Sequence, residues 1–228
     1  MLKSRNEESR FGLATRVSSS HLEAIGRVAA EWSALEAAVV FAISEVSKVD
    51  AFHVLVMAGP SAFASWLDML YLEIQNSSQH RESRCEVERL SALLKKLQRL
   101  RNHIVHASWE SKNRGKGLIA AAMDPKFVDP SDTATGYGFP KRGRDPIVRV
   151  EWTAAQIMAV ADLIEESRGI LSELANRKPA TSPRVKLAHT LRNEAIQRRI
   201  AEMRDRLPDP FPKLRPKGHA SRFKPKGT

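Results

Sequence analysis

The sequence predicts an all-α fold: a helical bundle carrying a small two-stranded β-hairpin insertion, followed by a basic C-terminal helix and tail. Three observations lead to that prediction. Apolar residues recur at three- and four-residue intervals over successive stretches, the signature of helices with one buried face. Strand-like patterning is confined to two short segments, 118–123 and 147–152. Charge is divided along the chain: residues 1–176 carry 22 Lys and Arg against 22 Asp and Glu, whereas residues 177–228 carry 15 against 4. The C-terminal part therefore holds the whole net charge of +11. A neutral body with a basic extension suits an electrostatic arm for a polyanion.

Residues 1–18 are polar and irregular, which predicts a flexible N-terminal arm. Ser20-His-Leu-Glu23 has the capping-box pattern, a hydroxyl for an orphan backbone donor and a glutamate reaching back. Behind it Leu22, Ile25, Val28, Trp32, Leu35, Val39, Ile43 and Val46 form one stripe, extending the helix to about Lys48. Trp32 is expected as a core anchor, with Glu36 flanking the stripe four residues later. Asp50 caps a short helix that runs through Ala58 and stops at Gly59-Pro60. A third helix spans Ser61 to Asn76, with Phe63, Trp66, Leu67, Leu70 and Ile74 on one side. His80 falls in a connecting loop and is expected to be exposed. The fourth helix starts near Glu82 and continues through Leu90, Leu97 and Ile104 to Glu110. Amphipathic helices with short joins predict a bundle.

Residues 111–152 interrupt the helical pattern. Leu118–Met123 and Ile147–Trp152 are predicted to pair as a hairpin, the second alternating apolar and charged residues as a half-exposed strand does. Between them lies a Pro- and Gly-rich run too long for a tight connection. Thr153-Ala-Ala-Gln156 repeats the capping-box pattern and opens a fifth helix to about Ala175. The bundle domain is thus bounded at 19–176 and the basic extension at 177–228. In the extension, Ser182 at the N-cap and Pro183 at N1 start a helix over 183–206. From Pro208 onwards, five prolines and several lysines predict a disordered tail.

No segment approaches the roughly 18 apolar residues of a membrane span, and no signal peptide is expected. The single cysteine, Cys85, excludes an internal disulfide and fits a reducing, cytoplasmic setting. Cys85 is expected as a small helix residue. There is no Gly-rich phosphate loop, paired-cysteine site or serine elbow, which argues against NTPase, zinc-finger and serine-hydrolase functions.

Chemistry concentrates in Leu97–Glu110, where Arg101, Asn102, His103 and His106 fall together. Arg101 interrupts the apolar stripe between Leu97 and Ile104. Asn102 and His106 share a helix face. Arg101 and His106 are rotated apart by about 140°, so only the length of the arginine can bring the two together. A cation on a buried stripe needs a counter-charge, and Glu36 is the expected partner. A purely structural reading also exists, since Arg, Asn and His complement the helix dipole and cap carbonyls. Trp109 and Glu110 are expected to close the helix end. His103, His106 and Glu110 have i, i+3, i+7 spacing, but without a second ligand cluster neither a metal nor any other cofactor is expected.

Arg-Asn-x-x-x-His-x-x-Trp at the end of a bundle helix, with the Trp-Ser-x-Leu-Glu pattern of residues 32–36, resembles the HEPN superfamily of helical-bundle proteins. The resemblance covers roughly residues 20–176. It implies a metal-independent endoribonuclease, in a toxin–antitoxin or defence setting, that cuts RNA by attack of the 2′-hydroxyl on the adjacent phosphate. It implies His106 as acid/base and Arg101 as phosphate stabiliser, with Asn102 orienting the imidazole or holding the scissile phosphate. Outside the motif's histidine position, His103 is a candidate second acid/base or RNA contact, and Glu36 a supporting residue as the expected partner of Arg101. It also implies a homodimer and an antitoxin or other protein partner. The residue types suit such chemistry: histidine exchanges protons near neutral pH, and arginine offers a fixed fork of donors to developing phosphorane charge. In the extension, Arg184, Lys186, Arg192, Arg198 and Arg199 are the expected nucleic-acid-binding residues. The alternative function is a non-catalytic nucleic-acid-binding or adaptor protein that works through this extension.

Overall fold

The stripe centred on Trp32 becomes the staff of the fold, and every other helix except α6 is arranged around it. The computed structural model describes residues 17–59, 63–78, 80–111, 118–123, 147–176 and 182–208. These form helices α1 (Ser19–Ser47), α2 (Ala51–Ala58), α3 (Phe63–Asn76) and α4 (Arg84–His106), then strands β1 (Ser108–Ser111), β2 (Leu118–Met123) and β3 (Ile147–Trp152), then helices α5 (Ala154–Ala175) and α6 (Pro183–Arg206). The described chain is mostly helical, as the periodicity predicts. The N-terminal arm, the long hairpin connection, the linker before α6 and the tail after Pro208 lie outside the described residues.

α1 buries Ala24, Val28, Trp32, Leu35, Val39 and Ile43 along its length. α5 runs parallel to it: Arg27 pairs with Asp162 at 2.9 Å and Glu165 at 3.1 Å, and Glu31 pairs with Arg168 at 3.1 Å one turn further on. α3 and α4 run antiparallel to each other, since Lys95 meets Asp68 and Arg84 meets Tyr71. The core formed between these helices includes Leu67, Leu70, Leu90, Leu94, Leu97, Ile104, Ile157, Val160 and Ile164. α2 buries only Val54 and Ala58 and leaves Phe52, Val56 and Met57 facing outward.

Helix ends follow the sequence in some places and depart from it in others. Thr153 and Gln156 form the reciprocal capping box, Asp50 accepts from the Phe52 amide, and Ser182 accepts from the Val185 amide with Pro183 following. The first capping box is not formed. Ser18 is the N-cap of α1, and its hydroxyl meets His21 Nδ1 at 2.7 Å rather than a backbone amide. His21 Nε2 in turn donates to the Trp152 carbonyl at 3.3 Å. A carbonyl can only accept, so this fixes the Nε2–H form, with Nδ1 accepting from Ser18. That bridge turns His21 inward and leaves Leu22, expected in the stripe, exposed. His80 also departs from expectation: it is buried beside the 3-10 turn Arg81–Ser83 that precedes α4, not exposed in a loop. Cys85 lies exposed on α4.

The predicted hairpin is present, with Leu118 opposite Trp152 and Met123 opposite Ile147. The sheet has a third strand, however. Ser108–Ser111, of which all but Ser111 were expected to continue the helix, forms β1 and pairs antiparallel with β2 in the order β1-β2-β3. Alternation along β3 buries Val150 and Trp152 and exposes Glu151 between them.

α6 is seated on the bundle. Ile196, Ile200 and Met203 belong to the common core, and Gln197 donates to buried Glu86 of α4. The stripe predicted along the whole helix is buried only in its second half, since Leu191 remains exposed. If this half of α6 belongs to the folding unit, Met203→Ala should lower the unfolding free energy by about 2–5 kcal/mol in urea titration. A loss within about 0.5 kcal/mol, typical of surface positions, would show α6 to be peripheral.

Candidate active site

The site forms where α4 stops. Ala107 takes an extended conformation after His106, and the chain turns at once into β1. The last four carbonyls of a helix have no intrahelical donor. One of them, that of Ile104, accepts from Trp109 Nε1 at 3.2 Å. Trp109 thus closes the helix end as its position predicts, but from a strand. This stop leaves His106 as the final helical residue, exposed at the rim.

Arg101 lies across this end. Its guanidinium carbon is 5.8 Å from the centroid of the Trp32 ring, a cation–π distance. Its Nη1 donates to Asn102 Oδ1 at 3.1 Å and meets His106 Nε2 at 2.9 Å. Arginine has no acceptor atom, so the His106 nitrogen must accept, and its ring carries the remaining proton on Nδ1. Nη1 has two hydrogens, so these two bonds use both. Arg101 Nε is buried and makes no hydrogen bond to any described residue. The cation that should be out of reach of His106 therefore reaches it by crossing the end of the helix, with the indole of Trp32 beneath it.

The predicted Arg101–Glu36 ion pair is not made. Glu36 Oε1 accepts from Trp32 Nε1 at 2.7 Å, one helical turn away. Trp32 thus lies between carboxylate and cation, bonded to one through its edge and facing the other with its ring. The same ring packs on Phe63 of α3, with centroids 4.7 Å apart. Sequence reading placed Trp32 in the core and missed that it carries the arginine. The i, i+4 spacing of Trp32 and Glu36 was the available signal.

His103, expected as a second acid/base, faces the other way. It is buried, and its Nδ1 accepts a long 3.4 Å bond from the indole of fully buried Trp152. His103 and His106 consequently do not converge, and among the described residues no group of His, Cys, Asp and Glu could hold a metal ion. Burial makes His103 a packing residue that ties α4 to β3.

The expected nucleic-acid residues of α6 divide into two sets. Arg199 pairs with Glu173 at 2.7 Å and approaches Glu166 at 3.9 Å, and Arg192 lies 3.7 Å from Glu173. These two arginines pair with carboxylates of α5, which offsets part of the charge they would offer a phosphate. Arg184, Lys186 and Arg198 are exposed. None of the five makes a hydrogen bond or ion pair with Arg101. No described helix is long and apolar enough to cross a membrane.

The contrast between the two histidines is measurable. His103→Ala removes a buried ring from Trp152 and should cost more than about 1 kcal/mol in chemical denaturation. His106→Ala, at an exposed helix end, should change stability by no more than about 0.5 kcal/mol. The reverse ranking would contradict the assignment of His103 to packing and His106 to the site.

Comparison of the chain with protein-family models, with curated proteins and with solved structures finds no match.

Proposed function

We propose that the protein is a metal-independent endoribonuclease of the HEPN type. One observation carries the reading: a single guanidinium nitrogen gathers Asn102 and the accepting face of exposed His106 at the end of α4. A lone pair on Nε2 is what a general base needs, and a fixed cation beside it is what a phosphorane needs. In the resting protein the cation occupies that lone pair. A phosphate entering the site competes for the guanidinium and releases Nε2 toward the 2′-hydroxyl.

His106 Nε2 takes the 2′-hydroxyl proton, the O2′–P bond forms, and the P–O5′ bond breaks to leave a 2′,3′-cyclic phosphate. The departing 5′-oxygen needs a proton from a second acid. With His103 buried, His106 is the one exposed histidine at the site among the described residues. A homodimer that brings two motifs together supplies the second, and we assign that role to His106 of the partner subunit. Arg101 donates to the non-bridging oxygens, and Asn102 holds Arg101 in register. Glu36 acts only through Trp32, as a positioning residue. A toxin–antitoxin or defence setting, with an inhibiting protein partner, suits a nuclease that has to be restrained.

Purified protein should cut single-stranded RNA in excess EDTA and leave 2′,3′-cyclic phosphate ends. His106→Ala should reduce the rate by at least about 100-fold, the range of general acid–base catalysis, while keeping wild-type stability. Undiminished cleavage by that variant would sink the assignment. Light scattering should give a particle twice the 25.5 kDa chain mass. A strictly monomeric, fully active protein would remove the second histidine from the mechanism.

A further inference from the structure

A cleft of about 460 Å³ opens along the seam between α4 and α6, away from the ion pairs that fasten α6 to α5. Its rim carries Arg89, Lys96 and Arg204, and its apolar lining is open at Ala92 and Ala201, with Leu93 and Ile200 buried beneath them. None of the eight lining residues is acidic. Arg89 donates to Gln197 Oε1 at 2.8 Å, which holds the rim in shape. Asp205 lies 3.7 Å from Arg204, but both are largely exposed, where such a pair is weak and leaves the cation available. Lys96 makes no ion pair or hydrogen bond to any described residue. A concave surface with three cations and small exposed apolar side chains fits an extended anionic ligand.

The direction of the cleft adds to this. From Lys96 the exposed positions of α4 continue through Arg99 and Asn102 to His106, at steps of three, three and four residues along one face. Ten residues of helix span about 15 Å. An extended strand lying in the cleft is therefore led along α4 to the cluster at its C-terminus.

We infer that the α4–α6 cleft binds the backbone of single-stranded RNA, with phosphates on Arg89, Lys96 and Arg204 and the sugar and base side toward exposed Ala92 and Ala201. The inference rests on the ribonuclease reading for its ligand class, and it names the surface that feeds that site. A single strand is favoured over a duplex because a cleft of about 460 Å³ between two helices admits one extended strand and is too small for a double helix. The residues differ from those the sequence nominates in α6, of which Arg192 and Arg199 are held by carboxylates.

The test is fluorescence anisotropy with a labelled single-stranded RNA, in EDTA and over a range of salt, using the full chain carrying His106→Ala so that the RNA is not consumed. In that background Lys96→Gln with Arg204→Gln should weaken binding several-fold and flatten the log–log salt dependence by about 1.4, two contacts at about 0.7 each. Lys95→Gln removes the same charge one residue away but facing α3, where it pairs with Asp68, and should bind as the parent does. Equal affinity in the cleft variant and its parent, or equal weakening by Lys95→Gln, would overturn the cleft as the site. So would preference for duplex RNA or for an acidic peptide in competition. Cleavage is scored separately: cleft-dependent binding by a wild-type protein that cuts nothing supports the cleft and refutes the nuclease reading. Wild-type cleavage retained by the cleft variant with unchanged affinity does the opposite.

Discussion

Trp32 is the contact on which the described structure turns. Its ring is fully buried at the middle of α1, packs on Phe63 at the start of α3, and carries Arg101 from the end of α4. Its indole nitrogen is satisfied by Glu36. An indole offers an apolar edge, a negative face and one strong donor, and here each is used by a different element. A cation on a buried stripe would ordinarily demand a direct carboxylate partner. The ring lets Arg101 remain charged without one, and so leaves its Nη1 hydrogens for Asn102 and His106. A Glu36–Arg101 pair would have drawn the guanidinium away from the histidine.

Much of the architecture was legible in the sequence because helical periodicity reports burial directly. Five of the helices were recoverable from the spacing of apolar residues, and the three side-chain caps that bond backbone amides, at Asp50, Thr153 and Ser182, stand where capping residues predict them. What was not legible depends on partners distant in the chain. β1 exists because β2 lies alongside it, and nothing in Ser-Trp-Glu-Ser announces a strand. Leu22 is exposed because His21 finds the carbonyl of Trp152. The cluster at the end of α4 was visible as letters, yet the roles of its two histidines were not, since burial of His103 depends on Trp152 of another element.

The charge pattern carries a similar lesson. Read along the chain, residues 177–228 look like a uniform basic arm. In the folded protein, α6 spends Arg192, Arg199 and Arg206 on Glu166 and Glu173 of α5. Arg204 on its other side faces Arg89 and Lys96 of α4 across a cleft with no acidic lining residue. The field available to a polyanion therefore comes from two helices far apart in sequence, one of them within the stretch whose net charge is zero.

The parallel packing of α1 on α5 has a consequence for how the chain is made. His21 and Trp152, which join the start of α1 to the head of α5, are separated by 131 positions in the chain. At a synthesis rate of about 5–20 residues per second, α1 waits roughly 7–26 s for the helix that covers it. During that interval a 29-residue helix with a fully apolar flank has only α2, α3 and α4 to shield it. Contacts of such long sequence separation also slow folding after release, since the intervening loop has to close before they are rewarded. The nascent protein is therefore most exposed to aggregation and to chaperone capture before α5 emerges, and the site at the end of α4 gains its backing from Trp152 only at the close of that window.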